Sequence, residues 1–244
     1  MTSADRADAV SQLFDAKAAS WAAKYQPGGP FTTRMTEMLA AIGAYAAHGG
    51  AMLDLGCGTG ELARSAVATG ARVTGCDISA EMIRRAAAAD QAGQVRWVRL
   101  EPGWARLPFP PGSFDSVVAA SVLEYVDDPS VIFRECHRVL RPGGVLLCTV
   151  PDMRHPVRWL EWAIQLPSGL PIVGRIDRHW PRLASYRIYL RLSGQRHLAG
   201  WWQAQASRSG LRGIGATGNS GRLLPLRLLT LQRPDAGQAA TAGG

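Results

Sequence analysis

Leu53-Asp54-Leu55-Gly56-Cys57-Gly58-Thr59-Gly60 is the stretch that decides how this chain folds. The apolar run over 51–55 reads as a short buried strand, and the glycines after it turn the backbone into a helix over 61–69. Glycine lets a backbone approach a ligand closely, and the helix start offers unpaired N–H groups. The spacing is Gly-x-Gly-x-Gly. It is not the Gly-x-Gly-x-x-Gly of dinucleotide folds, and no Lys-Ser/Thr pair follows to make a phosphate loop. Asp54, an acid inside an apolar run, is out of place beside a phosphate but suits a sulfonium cation carrying an α-amino group.

Outward from this turn, short apolar runs alternate with helical stretches. Strands are expected over 72–76, 95–100, 116–120 and 145–150. Helices are expected from Ser79, a good N-cap, through Asp90, and over 129–140, stopped by Arg141-Pro142-Gly143-Gly144. This alternation implies a parallel sheet wound by right-handed crossovers. Ahead of it, Val10, Phe14, Ala18, Trp21 and Tyr25 recur at helical spacing over 4–25, and a second helix is expected over 32–47. Beyond Val150 the rhythm breaks. Residues 151–198 are rich in proline and aromatics and too long for a plain loop, so they read as a cap inserted after the fifth strand. A helix over 199–209 and strands over 213–217 and 226–231 complete one domain, 1–234, made of N-terminal helices (1–50), core (51–150), cap and closing elements. The tail 235–244 reads as disordered.

At 244 residues and 47% apolar composition the chain has enough core for one α/β domain, which excludes global disorder. No apolar stretch is long enough to span a bilayer, and Met1 to Ala9 lack the order of a secretory signal; the expected location is cytoplasmic. Cys57, Cys76, Cys136 and Cys148 form no CxxC pair, so they read as small buried hydrophobes and no metal site is expected. The net charge of +8 is uneven: thirteen arginines between Pro151 and Arg233 face only Asp152, Glu161 and Asp177. That excess fits an anionic partner or a solvated Arg-rich surface, and both readings stay open. No RNA-binding module or Asn-Pro-Pro-Tyr motif is present, so nucleic acid is not an expected partner.

Asp77 ends the second strand, where an acid can accept both hydroxyls of a ribose. With this residue in place the chain resembles the class I S-adenosylmethionine-dependent methyltransferases, in particular the group that includes ubiquinone-biosynthesis and antibiotic-tailoring enzymes. The likeness is carried by Phe14-Asp15 with Trp21 and Tyr25; by Leu53 to Gly60; by Asp77-Ile78-Ser79-Ala80-Glu81-Met82; by Leu107-Pro108-Phe109 and Ser113-Phe114-Asp115; by Val122-Leu123-Glu124-Tyr125-Val126; and by Val139-Leu140-Arg141-Pro142-Gly143-Gly144. It implies a doubly wound α/β fold, Rossmann-like and mostly parallel, with seven strands of which one is antiparallel. It implies S-adenosylmethionine lying across the strand ends. Asp54, Gly56, Cys57, Gly58 and Gly60 would face its methionine end, Asp77 its ribose and Met82 its adenine, with Ile78 and Ser121 as further contacts. Two departures stand out. Relatives place an acid soon after the third strand; here counting forward gives Glu101 and counting back gives Gly103, so Glu101 is the expected adenine acceptor and Trp104 either its neighbour or core packing. Many relatives carry histidine where this chain has Tyr125.

Methyl transfer from a sulfonium is an in-line displacement that needs alignment, dryness and sometimes a base. His155 and Tyr125 are the candidate catalytic groups. Trp21, Tyr25, His179 and Tyr186 are candidate acceptor contacts. The expected function is methylation of a small, partly apolar or aromatic molecule. One alternative is a membrane-surface enzyme acting on a lipid or polyprenyl-linked acceptor, since Val157, Trp159, Leu160, Trp162, Ile164 and Leu166 lie beside Arg154 and Arg158. Another is a cofactor-binding protein without catalysis.

Overall fold

A computed structural model describes residues 2–164, 179–215 and 225–235. The helices are α1 (Ser3–Trp21), α2 (Thr32–Tyr45), α3 (Glu61–Val67), α4 (Ala80–Ala89), α5 (Pro129–Val139), α6 (Val157–Ile164), α7 (Pro181–Leu192) and α8 (Ala199–Arg208). The strands are β1 (Ala51–Leu55), β2 (Arg72–Asp77), β3 (Val95–Arg99), β4 (Phe114–Ala119), β5 (Leu140–Pro151), β6 (Arg212–Gly213) and β7 (Leu226–Gln232).

One seven-stranded sheet has the order β3-β2-β1-β4-β5-β7-β6. Strands β1 to β5 are parallel, and β7 runs antiparallel to both of its neighbours, β5 and β6. Residues of opposite parity in each strand feed opposite faces, as a pleated strand requires. Leu53, Leu55, Val117, Ala119, Leu146 and Cys148 join Phe133 of α5 and Trp202 of α8 on one side. Met52, Val118 and Leu147 join Met38 and Ile42 of α2 and Leu62 and Ala66 of α3 on the other. Covering both faces explains why the central strands are apolar throughout. The strand order reverses between β1 and β4. Chains leave these two strands in opposite directions, and a crevice opens beyond their C-terminal ends.

The observed elements refine the expected ones. The first helix stops at Trp21 and tightens into a 3₁₀ turn over Ala22–Tyr25. Arg141 to Gly144 do not break the chain into a turn before β5; they bulge out of it. Phe114 pairs with Leu140, whereas Ser116 pairs with Val145, so the strand resumes after the extra residues. Of the expected strand over 213–217 only Gly213 is in β6, and residues 216 and 217 lie outside the described residues. The cap contributes α6 and α7; its stretch 165–178, which includes Leu166, and the tail from residue 236 lie outside the described residues.

Candidate functional site

The glycine turn is built at the crevice. Gly56 N and Cys57 N both donate to Cys76 O, at 2.8 and 3.0 Å, tying the end of β1 to β2. Gly58 N donates to Asp77 Oδ2 and Ser79 N to Asp77 Oδ1, each at 2.9 Å. Gly58 has φ +56°, and a Cβ there would come 2.9 Å from the indole nitrogen of Trp21, which covers the turn from α1. Gly60 serves a different purpose from the one expected of it. Its φ is +83° and a Cβ would come 2.4 Å from the Trp97 ring, so glycine is needed there for packing of β3 against α3. Gly60 is not in the wall of the crevice.

The crevice is a cavity of about 740 Å³, within the range of small-molecule sites. Gly56, Cys57 and Gly58 form its floor, with Asp77, Ile78 and Met82 to one side. Leu100 and Trp104 complete an apolar slot beside Met82, and Trp104 also packs on the core. Residues Ala7, Val10, Phe14, Lys17 and Trp21 of α1 line one wall at spacings of three and four. Tyr186 and Tyr189 of α7 also line it, with Tyr125 edge-on between Phe14 and Tyr189 at 5.0 and 5.9 Å.

Two buried acids flank the floor. Asp77 is 8% exposed; burial raises its pKa, while N–H groups of Ser79, Gly58 and Ile78 pull it down. Asp54 lies one layer behind the floor and is not itself in the cavity wall. Its Oδ2 has no hydrogen-bond partner among the described residues, and burial, followed by the charges of Asp77 and Glu61, lifts its pKa to about 7. An anionic ligand would worsen this arrangement, whereas a cation above the floor would relieve it.

Across the floor, Arg34 of α2 is 7% exposed and donates to Ser121 Oγ and to Tyr25 Oη, both at 2.8 Å. Ser121 has φ +58°, the one left-handed non-glycine residue among those described, and its N–H is fixed by Thr149 Oγ1 at 2.8 Å. Glu124 is 4% exposed and lines the cavity, with Oε2 unpartnered among the described residues. Burial raises its pKa to about 7 against the opposing charges of Arg34 and Arg158. The Tyr125 phenol is pushed well above its usual range, first by burial and then by Tyr189 and Glu124, so it stays protonated at neutral pH.

The structure does not bring all the expected residues together. Trp21, Tyr25, Gly56, Cys57, Gly58, Asp77, Ile78, Met82, Trp104, Ser121, Tyr125 and Tyr186 line the cavity. His155 does not: it is half-buried, and its Nδ1 accepts from Val157 N at 3.2 Å at the start of α6. His179 and Glu101 are exposed and are likewise outside the wall; after Leu100 the chain turns Trp104 rather than Glu101 inward. Sequence reading missed Lys17, Lys24, Arg34 and Glu124. Glu124 stood inside a quoted motif, and an arginine at a helical core position was the available signal for Arg34.

Residues 53–148 match a family model described as a methyltransferase domain. Over 125 residues the chain is 34% identical to a ubiquinone biosynthesis O-methyltransferase of Sodalis glossinidius, covering 51% of this chain and 50% of that one. The chain thus spans about half the length of the curated relatives it matches. Among solved structures it superposes on a magnesium protoporphyrin IX methyltransferase from Synechocystis PCC 6803 with bound SAH, with TM-score 0.67, 17% identity and coverage of 92% and 98% of the two chains. It superposes also on an S-adenosylmethionine-dependent methyltransferase from Mesorhizobium loti, with TM-score 0.57, 24% identity and coverage of 80% and 96%.

Proposed function

We propose that this chain, which carries a methyltransferase domain over residues 53–148 and has the fold of S-adenosylmethionine-dependent methyltransferases, transfers a methyl group from S-adenosylmethionine to a small, partly apolar or aromatic acceptor. One observation carries the reading: a single cavity joins the glycine floor and Asp77 to a chamber walled by Tyr125, Tyr186 and Tyr189. The donor set fits the cofactor. Gly58 leaves the floor without a side chain, Asp77 offers a buried carboxylate at the end of β2, and Met82 with Trp104 offers an apolar slot for a flat base. The orphaned oxygen of Asp54 behind the floor favours a cationic group above it. Arg34, at the β1–β4 edge, supplies the cation for a carboxylate.

S-adenosylmethionine supplies an activated methyl group on a good leaving group when bound. The protein's own residues have three tasks. Phe14, Trp21 and Tyr125 exclude water from the space between the two halves of the cavity. Tyr125 and Tyr189, held as neutral phenols by burial, orient a polar acceptor by hydrogen bonding. Glu124, with an open carboxylate oxygen and a pKa near neutrality, takes the proton from the acceptor's hydroxyl or amine.

A membrane-surface site of action remains the second reading, because Leu160, Trp180 and Ile188 of the cap are exposed at 60%, 66% and 45%. No helix among the described residues is long and apolar enough to cross a membrane. Liposome flotation separates the two readings. The central test is Asp77→Ala with S-adenosylhomocysteine as calorimetric probe. Losing two charge-assisted hydrogen bonds to ribose, worth about 1.5–3 kcal/mol each, weakens binding by about a hundredfold or more. Wild-type affinity in a folded variant refutes the proposed cofactor position.

A further inference from the structure

Of 27 basic residues in this chain only two are lysines, Lys17 and Lys24, and both line the cavity. They stand seven residues apart, two helical turns along α1 and its 3₁₀ extension. Each ammonium rests on aromatic rings. Lys17 Nζ is 4.3 Å from the centroid of Tyr189, and Lys24 Nζ is 3.9 Å from Trp21 and 5.2 Å from Phe31. No carboxylate among the described residues pairs with either. Two arginines of the same cavity do have such partners, Arg6 with Asp127 at 3.0 Å and Arg158 with Glu161 at 2.6 Å, whereas Arg34 donates to the hydroxyls of Ser121 and Tyr25.

This arrangement is costly as it stands. Burial, followed by the charge of Lys24, lowers Lys17 to about 8, and burial with the charge of Arg34 lowers Lys24. Lys17, Lys24 and Arg34 therefore form a row of cations along one wall, in which Arg34 makes Lys24 harder to charge and Lys24 makes Lys17 so. Ring faces offset part of the cost, and a bound anion would offset the rest. The row is graded in position. Arg34 and Lys24 lie towards the glycine floor, through Ser121, Phe31 and Trp21. Lys17 lies towards the tyrosine chamber, over the ring of Tyr189.

We propose that Lys17 is the anion-recognition residue of the acceptor chamber, and that the methyl acceptor carries a carboxylate or similarly compact anion on an aromatic ring. The idea rests on the methyltransferase reading and narrows its substrate class. The ammonium receives the anion, Tyr189 and Phe14 flank the ring, and Lys24 adds attraction from the floor side.

Having only two lysines makes the test direct. In protein labelled with ¹³C-lysine and saturated with S-adenosylhomocysteine, two side-chain signals report the site. The probes are 3,4-dihydroxybenzoate and 3,4-dihydroxybenzyl alcohol, which share a ring and differ in charge. The benzoate is expected to move the Lys17 signal and raise its pKa, and to bind about tenfold tighter than the alcohol, as befits one half-buried charge pair. Lys17→Met should abolish that preference and Lys17→Arg should restore it, both with wild-type affinity for S-adenosylhomocysteine, which also shows that the variants fold. A Lys17 signal unmoved by millimolar benzoate overturns the proposal. So does a Lys17→Met variant that weakens S-adenosylhomocysteine instead of the benzoate, because the cation would then serve the cofactor's carboxylate. Failure of wild-type protein to bind S-adenosylhomocysteine at all strikes the methyltransferase reading itself.

Discussion

Asp54→Asn separates what this carboxylate costs from what it does. Asp54 is buried, and burial with the nearby charges of Asp77 and Glu61 lifts its pKa from 3.8 to about 7. A carboxyl with a raised folded pKa holds its proton more tightly folded than unfolded, so it subtracts stability as pH rises from 3.8, and the full cost is present above about 7. Each tenfold change in acidity is worth about 1.4 kcal/mol, which puts that cost at about 4 kcal/mol for the ionised form. Asparagine keeps the shape and removes the charge. Urea unfolding at pH 8 should therefore show the variant more stable than wild type by up to about 4 kcal/mol, with the gap shrinking to a minor part of that at pH 5. Calorimetry should show the opposite trend for function: weaker binding of S-adenosylmethionine, whose cationic end loses its counter-charge behind the floor. A variant less stable than wild type at pH 8 would mean that Asp54 is ionised and well paired there, and the reasoning from its orphaned oxygen would fail.

Glu124→Gln should flatten the acidic limb of the pH–rate profile near pH 7, because the carboxylate that faces Arg34, Arg158, Tyr125 and Tyr189 acts as base only above its raised pKa of about 7; an unchanged limb would assign the base elsewhere. Gly60→Ala should destabilise the fold by roughly 1–3 kcal/mol through the left-handed backbone and the clash with Trp97. Pairing it with Trp97→Ala should recover part of the loss in urea unfolding, and strict additivity would show that the two do not touch.

The sheet was legible because its signals are local. Each parallel strand is a short apolar run closed by a helix start or a glycine turn, and every expected strand from 51–55 to 145–150 has a counterpart in β1 to β5. The floor of the cavity was legible for the same reason: Gly58, Asp77 and Met82, which line it, owe their places to strand ends and the helix after them. What failed was direction. His155, His179 and Glu101 have suitable chemistry, but sequence does not say which way a loop side chain points, and all three lie outside the wall. The spacing of Val10, Phe14 and Trp21 announced a helix with an apolar face without saying that this face closes a cavity instead of filling the core. Arg34 and Glu124 are charged residues at buried positions, where pattern alone expects apolar ones; Arg34 is held by Ser121 and Tyr25, and its charge offsets part of the burial of Glu124.

The division between legible and hidden residues follows the division between the two halves of the site. The matched domain, 53–148, supplies the floor, Asp77 and the apolar residues Met82, Leu100 and Trp104. Most of the remaining wall comes from outside it: Phe14, Lys17 and Trp21 on α1, Arg34 on α2, Tyr186 and Tyr189 on α7. Helix α1 is fixed at its middle and near its start to hold that wall in place. Ser11 Oγ donates to Ile78 O at 3.2 Å, and Asp15 Oδ1 accepts from Ser79 Oγ at 2.5 Å and Glu81 N at 3.1 Å, which seats the helix on the start of α4. Near its start, Arg6 donates to Leu192 O at 2.7 Å and pairs with Asp127 at 3.0 Å, which seats it against the end of α7. A sheet and its strand-end turns can be shared widely because they recognise a constant ligand. The elements that enclose a second ligand must differ with that ligand. On the proposed function, the acceptor's identity would be set by the charge and ring pattern of α1, α2 and α7 together with Glu124 and Tyr125.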